Sequence, residues 1–338
     1  MRARRSGAVT AAMLAMGLTA RVPPVHAQGP RGTCSTSGAG FNGGDVCQKA
    51  RDLFSFVAPQ IGVAVAGGNP IPGDAGSLGG FGKRALSLRM VVVDAHLPRN
   101  SVPLTAGAAA GSDFGQERTV MPLPAVDGAI GVFAGAPLGL TNVGGVDLLA
   151  GATYLPHVSR NAFELRAANG GFGFSYGVRV GVLQESSVVP GLGVSWQRRQ
   201  LPTSDFSYMP SNDTLVVNGT SVRADALRAV ISKRFALFGL AAGVGRDRIV
   251  SESNMSAVVN ESAGNSAVRQ TVSLTGLRES TERNTAFVNA SFSLIAFRIV
   301  AEYGRSSAGT LRETVNSFGG RRANEAYNYG SLGITARF

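Results

Sequence analysis

The chain ends in Tyr327–Phe338 (YNYGSLGITARF), and this stretch decides the fold class. Apolar and small residues occupy every second position up to the terminal phenylalanine, and mostly polar residues lie between them. This period of two is typical of a β-strand whose two faces meet different surroundings. A transmembrane β-barrel has such strands, because their outer face meets lipid and their inner face meets a polar lumen. The stretch therefore predicts an all-β fold, a closed antiparallel transmembrane β-barrel.

Four residues of the same strand resemble the C-terminal sorting signal of Gram-negative outer-membrane barrels. They are Ser331, Gly333, Ala336 and Phe338, which occupy the polar, glycine, hydrophobic and terminal aromatic positions of that signal. The resemblance implies recognition by the barrel assembly machinery and insertion into the outer membrane.

The first 27 residues have the organisation of a secretory signal peptide. Arg2, Arg4 and Arg5 form a basic start, residues 8–20 are largely apolar, and Val25-His26-Ala27 is a small-x-small cleavage site. The apolar run is too short to span a bilayer comfortably. We therefore expect residues 1–27 to be removed on export, and the mature chain to reach the outer membrane of a Gram-negative bacterium.

Alternating segments recur throughout residues 85–338 and predict ten strands, the terminal one included. Gln270–Leu277 is the basis of an alternative count of twelve. In Val222–Lys233 the alternation shifts near Ala226-Leu227, which predicts a β-bulge. Short turns alternate with long polar connections, as expected for a barrel with short periplasmic turns and long outer loops. The long connections are near residues 99–117, 157–170, 203–218, 253–283 and 306–323.

Parity places a set of charged residues on the predicted inner face of the barrel. A charged side chain that faces lipid at mid-membrane costs about 2–4 kcal/mol, so these residues are expected to face the lumen. Two interpretations stay open: a pore lining that selects anions or polar solutes, and an ion-pair lattice that fills a narrow barrel. The lumen-facing candidates are Arg89, Asp147, Arg179, Arg199, Asp247, Arg298, Glu302 and Arg337.

Residues 28–84 do not alternate and form a separate unit. Cys34 and Cys47 are expected to form a disulfide, because an exported chain reaches an oxidising compartment. Asp45 is the predicted N-cap of a helix that continues to about Val57, and a turn-rich Gly/Pro segment follows it. We interpret the unit as a disulfide-linked periplasmic cap or a plug in the lumen. A flexible linker to the first strand is the alternative.

Composition and charge limit the function classes. The net charge is +11, and the four arginines and absent acids of residues 1–27 leave +7 for the mature chain. This excess indicates an anionic partner such as lipopolysaccharide, or else an arginine-rich lumen and loops. The sequence has no basic cluster with interleaved aromatic residues, so it does not indicate binding to nucleic acid. The mature chain has only His96 and His157, without a hydrolase or metal-spacing motif, so the sequence predicts neither an enzyme nor a cofactor or metal.

The N-terminal unit is similar to that of FadL-type hydrophobic-compound transporters, which carry an N-terminal hatch. Asn69-Pro70-Ile71 resembles the Asn-Pro-Ala of that hatch, with Ile in place of Ala. Those barrels have fourteen strands, more than are counted here, so no binding residue is carried over.

Two hypotheses of function remain. The first is a passive channel or uptake protein for small or hydrophobic solutes, and the second is a structural or surface-interaction barrel with a filled lumen and binding loops.

Overall fold

Ten antiparallel strands close into a ring around an internal helix in the computed structural model. The structure describes residues 31–37, 43–98, 102, 104–105, 107–160, 163–167, 169–208, 213–263, 266–295, 297–311 and 313–338. Its elements are β1 (Arg31–Ser37), α1 (Gly44–Ala66), β2 (Arg84–Pro98), β3 (Gln116–Phe133), β4 (Ala136–Leu138), β5 (Thr141–Val143), β6 (Gly145–Tyr154), β7 (Val158–Arg160), β8 (Phe163–Ala167), a 3-10 turn (Asn169–Gly171), β9 (Phe172–Leu183), β10 (Gly191–Gln200), β11 (Ser204–Tyr208), β12 (Thr214–Phe235), β13 (Phe238–Ala263), β14 (Ser266–Ser293), β15 (Phe297–Ser306) and β16 (Tyr327–Arg337).

The ring runs β2-β3-β6-β9-β10-β12-β13-β14-β15-β16 and closes where β16 pairs with β2. At this seam Ile334 lies opposite Leu88. The predicted barrel and its count of ten strands are confirmed. The alternative count of twelve is wrong, because Gln270–Leu277 belongs to β14 and pairs with the outer part of β13.

An apolar belt covers the outside of the ring. Side chains alternate between buried and exposed along the ring strands, most regularly in β15. In the part of each strand that is nearer the short turns, called the lower part here, the exposed positions are apolar, as a lipid-facing surface requires. Belt residues from around the ring include Leu86, Leu88, Ile130, Leu148, Phe174, Tyr176, Leu227, Leu240, Val244, Val288, Ile299, Tyr303, Leu332 and Ile334.

Charged residues replace the apolar ones on the outer face above the belt. Arg118 Nε lies 2.6 Å from the Asp94 carboxylate, and Arg198 Nε lies 2.6 Å from that of Asp225. Arg246 pairs with Glu282 in the same way between β13 and β14. These cross-strand pairs mark where the lipid-facing surface ends, on the side of the long connections.

The long connections are partly strand rather than loop. β13 and β14 have 26 and 28 residues and form one hairpin that rises well beyond the belt. The predicted long loop at 253–283 is therefore wrong. Apolar Met255, Ala257 and Val259 alternate there with polar residues, and they are buried on the side of the upper sheet that faces α1. Strand β1 pairs with β14 at one edge of this sheet. Strands β7, β8 and β11 extend the opposite edge of the same sheet.

Helix α1 lies inside the barrel, and its residues from Asp45 to Ala66 are almost all buried. Its second half, from Phe56 to Ala66, is almost entirely apolar because the barrel wall surrounds it, whereas the polar residues of its first half have partners inside the barrel. The predicted N-cap at Asp45 is wrong: the helix begins at Gly44, after Gly43 in a left-handed conformation. The helix also continues past the predicted end near Val57, through Pro59, to Ala66.

The helix runs from the long-connection end of the barrel toward the short-turn end. Its first turns lie beside β1, which pairs with the outer part of β14. Gly67, just after its last residue, contacts Arg89 and Arg228 in the lower half of the wall. The predicted Cys34–Cys47 disulfide is confirmed, and it joins β1 to α1 at the long-connection end rather than at a periplasmic cap.

The predicted bulge at Ala226-Leu227 is wrong. Pairing of β12 with β10 and β13 is continuous through both residues, and the register shift lies between Asn218 and Ser221. Val222 and Ala224 point inward toward α1, so apolar residues occupy the inner face in this half of the barrel. In the sequence, these inward apolar residues look like a one-residue shift of the alternation, although the pairing has no bulge there.

Within the described residues, no helix has the length and apolar character of a membrane-spanning helix.

Candidate functional site

All eight lumen-facing candidates point into the barrel. Seven are buried, and the Arg337 side chain is 30% exposed at the short-turn end. Arg89 and Arg199 share one carboxylate, that of Asp127, at 2.8 and 3.3 Å. Gln197 donates to Asp127 and to Ser175 Oγ beside them. The basic residues of the lower lumen are therefore held by buried acids rather than by solvent.

A second group of ion pairs lies in the same half of the barrel. Arg179 donates to Asp147 Oδ2 through Nε at 2.9 Å and Nη2 at 2.8 Å. Arg228 Nη1 lies 2.5 Å from Asp247 Oδ1. Sequence reasoning missed Asp127 and Arg228, although both occupy the inner parity of their strands and the same rule would have found them.

Wall side chains also bind the backbone of residues 67–78, which cross the lumen below α1. Glu302 Oε2 accepts from Asn69 N at 3.0 Å, Asp147 Oδ1 accepts from Leu78 N at 3.0 Å, and Ser232 Oγ accepts from Ala75 N at 3.1 Å. In the opposite sense, arginines donate to carbonyl oxygens of the segment: Arg228 to Gly67 at 2.8 Å, Arg298 to Gly73 at 3.0 Å and Arg89 to Asn69 at 3.3 Å. The predicted lumen charges therefore hold an internal segment in place.

The fit between this segment and the wall is close. A Cβ at Gly68 would overlap the Glu302 carboxylate, so only glycine fits there. Asp74 pairs with Arg337 and lies 3.8 Å from Arg179 Nη1, which ties the segment to the short-turn end. Helix α1 and residues 67–78 together occupy the lumen from one end to the other.

At the long-connection end, the last connection folds back over the plug helix. Phe318 stacks on Phe56 with ring centroids 4.0 Å apart, and Phe114 stacks on Phe318 at 5.5 Å. Asn316 donates to Asp52 Oδ2 through its backbone N at 2.9 Å and through Nδ2 at 2.7 Å. This arrangement closes the mouth over the first half of α1.

Beside that closure is an apolar pocket of about 40 Å³ between α1 and the wall. One side is formed by the helix and the other by β2, β11, β12 and β13. Every residue of its lining is apolar, so it can hold an apolar group and offers no polar partner. The lining residues are Leu53, Phe54, Val57, Ala58, Pro98, Phe206, Leu215, Val217 and Met255.

A buried carboxyl lies at the same end, above the lipid-facing belt. Glu279 of β14 is seven residues beyond the belt position Ala286, and its Oε2 accepts from Ser55 Oγ at 2.5 Å. Burial raises the pKa of the Glu279 carboxyl to about 7, opposed by the Ser55 hydrogen bond and by the nearby Arg283 guanidinium. No pattern in the sequence predicts this contact between helix and wall.

The four residues of the C-terminal signal lie on both faces of β16. Ser331 and Gly333 point inward, whereas Ala336 and Phe338 point outward, and the Phe338 side chain is exposed. The Phe338 backbone exchanges two hydrogen bonds with Arg84, at 2.8 and 3.1 Å. The last residue thus completes the seam between the final and first ring strands.

Neither histidine lies in a reactive arrangement. His96 Nδ1 is 2.6 Å from Gln116 Oε1, and His157 Nε2 is 3.8 Å from Glu164 at an exposed site. Across the part of the chain that the structure describes, no group of three or more His, Cys, Asp or Glu residues is arranged to hold a metal ion.

No protein-family model matches the chain, and no curated protein matches it. Among solved structures, the translocator domain of the autotransporter NalP from Neisseria meningitidis is 10% identical, with a TM-score of 0.34, over 77% of this chain and 89% of that one. The outer membrane protease OmpT from Escherichia coli is 10% identical, with a TM-score of 0.37, over 76% and 96%. A Pseudomonas aeruginosa FadL homologue is 10% identical, with a TM-score of 0.26, over 83% and 98%.

At these scores the matches do not bear on function. The resemblance of this chain to outer-membrane β-barrels is confirmed at the level of the fold, by its own closed ring of ten strands and apolar exterior.

Proposed function

We propose that the chain is an outer-membrane barrel that is closed at rest by its own N-terminal segment and binds small hydrophobic solutes at its outer mouth, as a first step of uptake. The apolar belt supports a location in a bilayer, and the signal-peptide pattern and C-terminal signal support the outer membrane. No catalytic step is part of the proposal.

The observation that carries the proposal is the apolar pocket at the mouth. Helix α1 forms one side of it, so a bound solute touches the plug itself. The pocket is small, and we expect the side chain of Met255 to move aside when a solute enters. Methionine is suited to this because its unbranched side chain adapts readily to irregular spaces.

The second candidate is a structural or surface-interaction barrel, and a different observation favours it. The lower lumen is filled by the plug and its ion pairs, including Arg89–Asp127 and Arg179–Asp147. A barrel that only stabilises the membrane or presents its loops needs no path through the lumen. Such a barrel would bind no apolar solute at its mouth.

Solute binding separates the two candidates. We would measure toluene binding by equilibrium dialysis of the barrel in nanodiscs against matched empty nanodiscs. Val217→Thr places a hydroxyl in the pocket with little change of shape, and should weaken binding roughly fivefold or more because the group is left without a good partner. Val222→Thr is the matched control, since Val222 is buried on the same strand outside the pocket.

Saturable toluene binding that is weakened by Val217→Thr but not by Val222→Thr would support uptake. No saturable binding to the wild-type chain would leave the structural candidate. Fractionation of cells on a density gradient tests the location separately, and recovery of the chain away from the outer membrane would contradict both candidates.

A further inference from the structure

A trough lies on the outside of the barrel where the apolar belt gives way to charge. It has a volume of about 660 Å³ and crosses β10, β12, β13, β14 and β15. Ala229 and Ala286 are the small side chains of its floor and lie on either side of Val244, and Leu227 is two residues nearer the long-connection end. The trough is therefore a depression in the lipid-facing surface, open toward the bilayer.

Two arginines border the trough, Arg305 beside the floor residue Ala286 and Arg246 one step further toward the long-connection end. Arg246 lies on β13 and Arg305 on β15, two strands away, and both are exposed. Arg246 pairs with Glu282, whereas Arg305 has no ion pair among the described residues. Asn284 and Ser307 add polar groups between them.

Positive charge is concentrated in this sector of the ring. From the trough up to the level of Arg223 and Val250, the outward positions of β10, β12, β13, β14 and β15 carry five arginines and two acids, Asp225 and Glu282. At the same height on β2 and β3, Arg118 and Asp94 form a balanced pair. The five arginines are Arg198, Arg223, Arg246, Arg248 and Arg305.

We propose that the trough binds a phosphate-bearing lipid of the outer leaflet, with an acyl chain along the alanine floor and a phosphate on Arg246 and Arg305. The proposal rests on the outer-membrane location proposed above, and it is independent of solute uptake. Guanidinium groups suit this ligand because they form charge-assisted, often bidentate, hydrogen bonds with phosphate. The floor continues the belt, so the acyl chain reaches it without leaving the bilayer.

The test uses the full mature chain in phosphatidylcholine nanodiscs that contain either bisphosphorylated lipid A or lipid A without phosphates. Native mass spectrometry counts the lipid that stays bound after release from the disc. The wild-type chain should retain bisphosphorylated lipid A. The double variant Arg246→Gln/Arg305→Gln should retain it roughly tenfold less, because both charged donors are lost. Ala229→Phe, which fills the floor, should also reduce retention.

Arg278→Gln/Arg322→Gln is the matched control, because it removes two exposed arginines outside the trough and should leave retention unchanged. Heat-modifiable mobility in gels shows that each variant has folded. Equal retention of both forms of lipid A, or equal retention by the Arg246/Arg305 variant, would overturn the proposal. Displacement by millimolar inorganic phosphate would also overturn it, since the site would then bind the ion alone. Loss of toluene binding with lipid retention intact would remove the uptake proposal and leave this one.

Discussion

Phe318 lies on Phe56 with the two rings parallel to within 4° and their centroids 4.0 Å apart. One ring belongs to the last outer connection and the other to the helix inside the barrel, and both are fully buried. The mouth is thus closed by direct stacking of a surface segment on the plug. Asn316, two residues before Phe318, fixes the same segment to Asp52.

Phe318→Ala should loosen this closure. Removing a buried phenylalanine costs about 3–5 kcal/mol, because the lost contacts leave a cavity. We expect wild-type protein to be silent to ions in planar bilayers and the variant to show brief openings or faster proteolysis of the outer segment. Val315→Ala in the same connection is the control, since Val315 is exposed. Identical behaviour of both variants would contradict a role for the stack in closure.

Arg179→Glu should destabilise the barrel rather than change the selectivity of a pore. The substitution leaves Asp147 unpaired and adds a third carboxylate near Asp147 and Asp74. Breaking a buried ion pair in this way costs about 3–5 kcal/mol. Urea unfolding in lipid vesicles, followed by tryptophan fluorescence, measures the change.

Arg166→Glu provides the matched control for that experiment. Its side chain is 73% exposed and pairs with Glu164 at 3.2 Å, so the substitution should change stability by about 1 kcal/mol or less. An Arg179→Glu barrel of normal stability with altered ion selectivity would show that Arg179 lines an open path.

Glu279 should make attachment of the helix depend on pH. Its pKa in the folded chain is about 7, above the ordinary value of 4.5. Its contribution to stability is therefore complete below pH 4.5 and is lost as the pH rises through 7, at most about 3 kcal/mol. Hydrogen exchange of α1 at pH 5 and pH 8 measures the effect.

Glu279→Gln cannot ionise and should remove most of this difference between the two pH values. Glu252→Gln on the neighbouring strand is the control, because Glu252 is exposed and pairs with Arg278. If exchange of α1 changes equally with pH in the wild type and in Glu279→Gln, the carboxyl is not responsible.

Phe338→Asp should impair assembly in the membrane. The substitution puts a charge at an outward position where β16 meets β2, and it removes the aromatic that completes the resemblance to the sorting signal. The fraction of chain with heat-modifiable mobility in outer-membrane extracts reports assembly. Phe338→Tyr, which keeps the aromatic, should assemble normally. Wild-type levels of assembled Phe338→Asp would contradict the signal interpretation.

The ring could be predicted from the sequence because the lower half of each strand has a lipid-facing apolar side. In β16, Leu332 and Ile334 show which alternate positions face lipid. The same alternation in β9 and β15 places Arg179 and Glu302 on the inner face. Prediction failed where the inner face is also apolar, as at Val222 and Ala224, since alternation then no longer separates the two faces. The upper hairpin of β13 and β14 was missed for a different reason: Met255, Ala257 and Val259 face inward there and the outer side is mostly polar, so the lipid-facing apolar side is absent.

The plug was only partly predictable. A helix that is buried on every side has no solvent-facing side, and its polar residues bind partners inside the barrel, so neither its length nor its direction could be predicted from residues 44–66. Contacts between distant segments, such as Ser55 with Glu279 or Phe56 with Phe318, have no local pattern in the sequence. They arise only when the ring brings the outer connections over the helix.

The course of the chain through the lumen constrains the order of assembly. Residues 31–66 begin at the long-connection end of the barrel, and the chain leaves the lumen at the short-turn end. The closed ring therefore encircles its own N-terminal segment. The seam between β2 and β16 forms only once the last strand is in place. A ring that had already closed would have to admit this segment through its entire length. We therefore expect the strands to close around a helix that already lies in place.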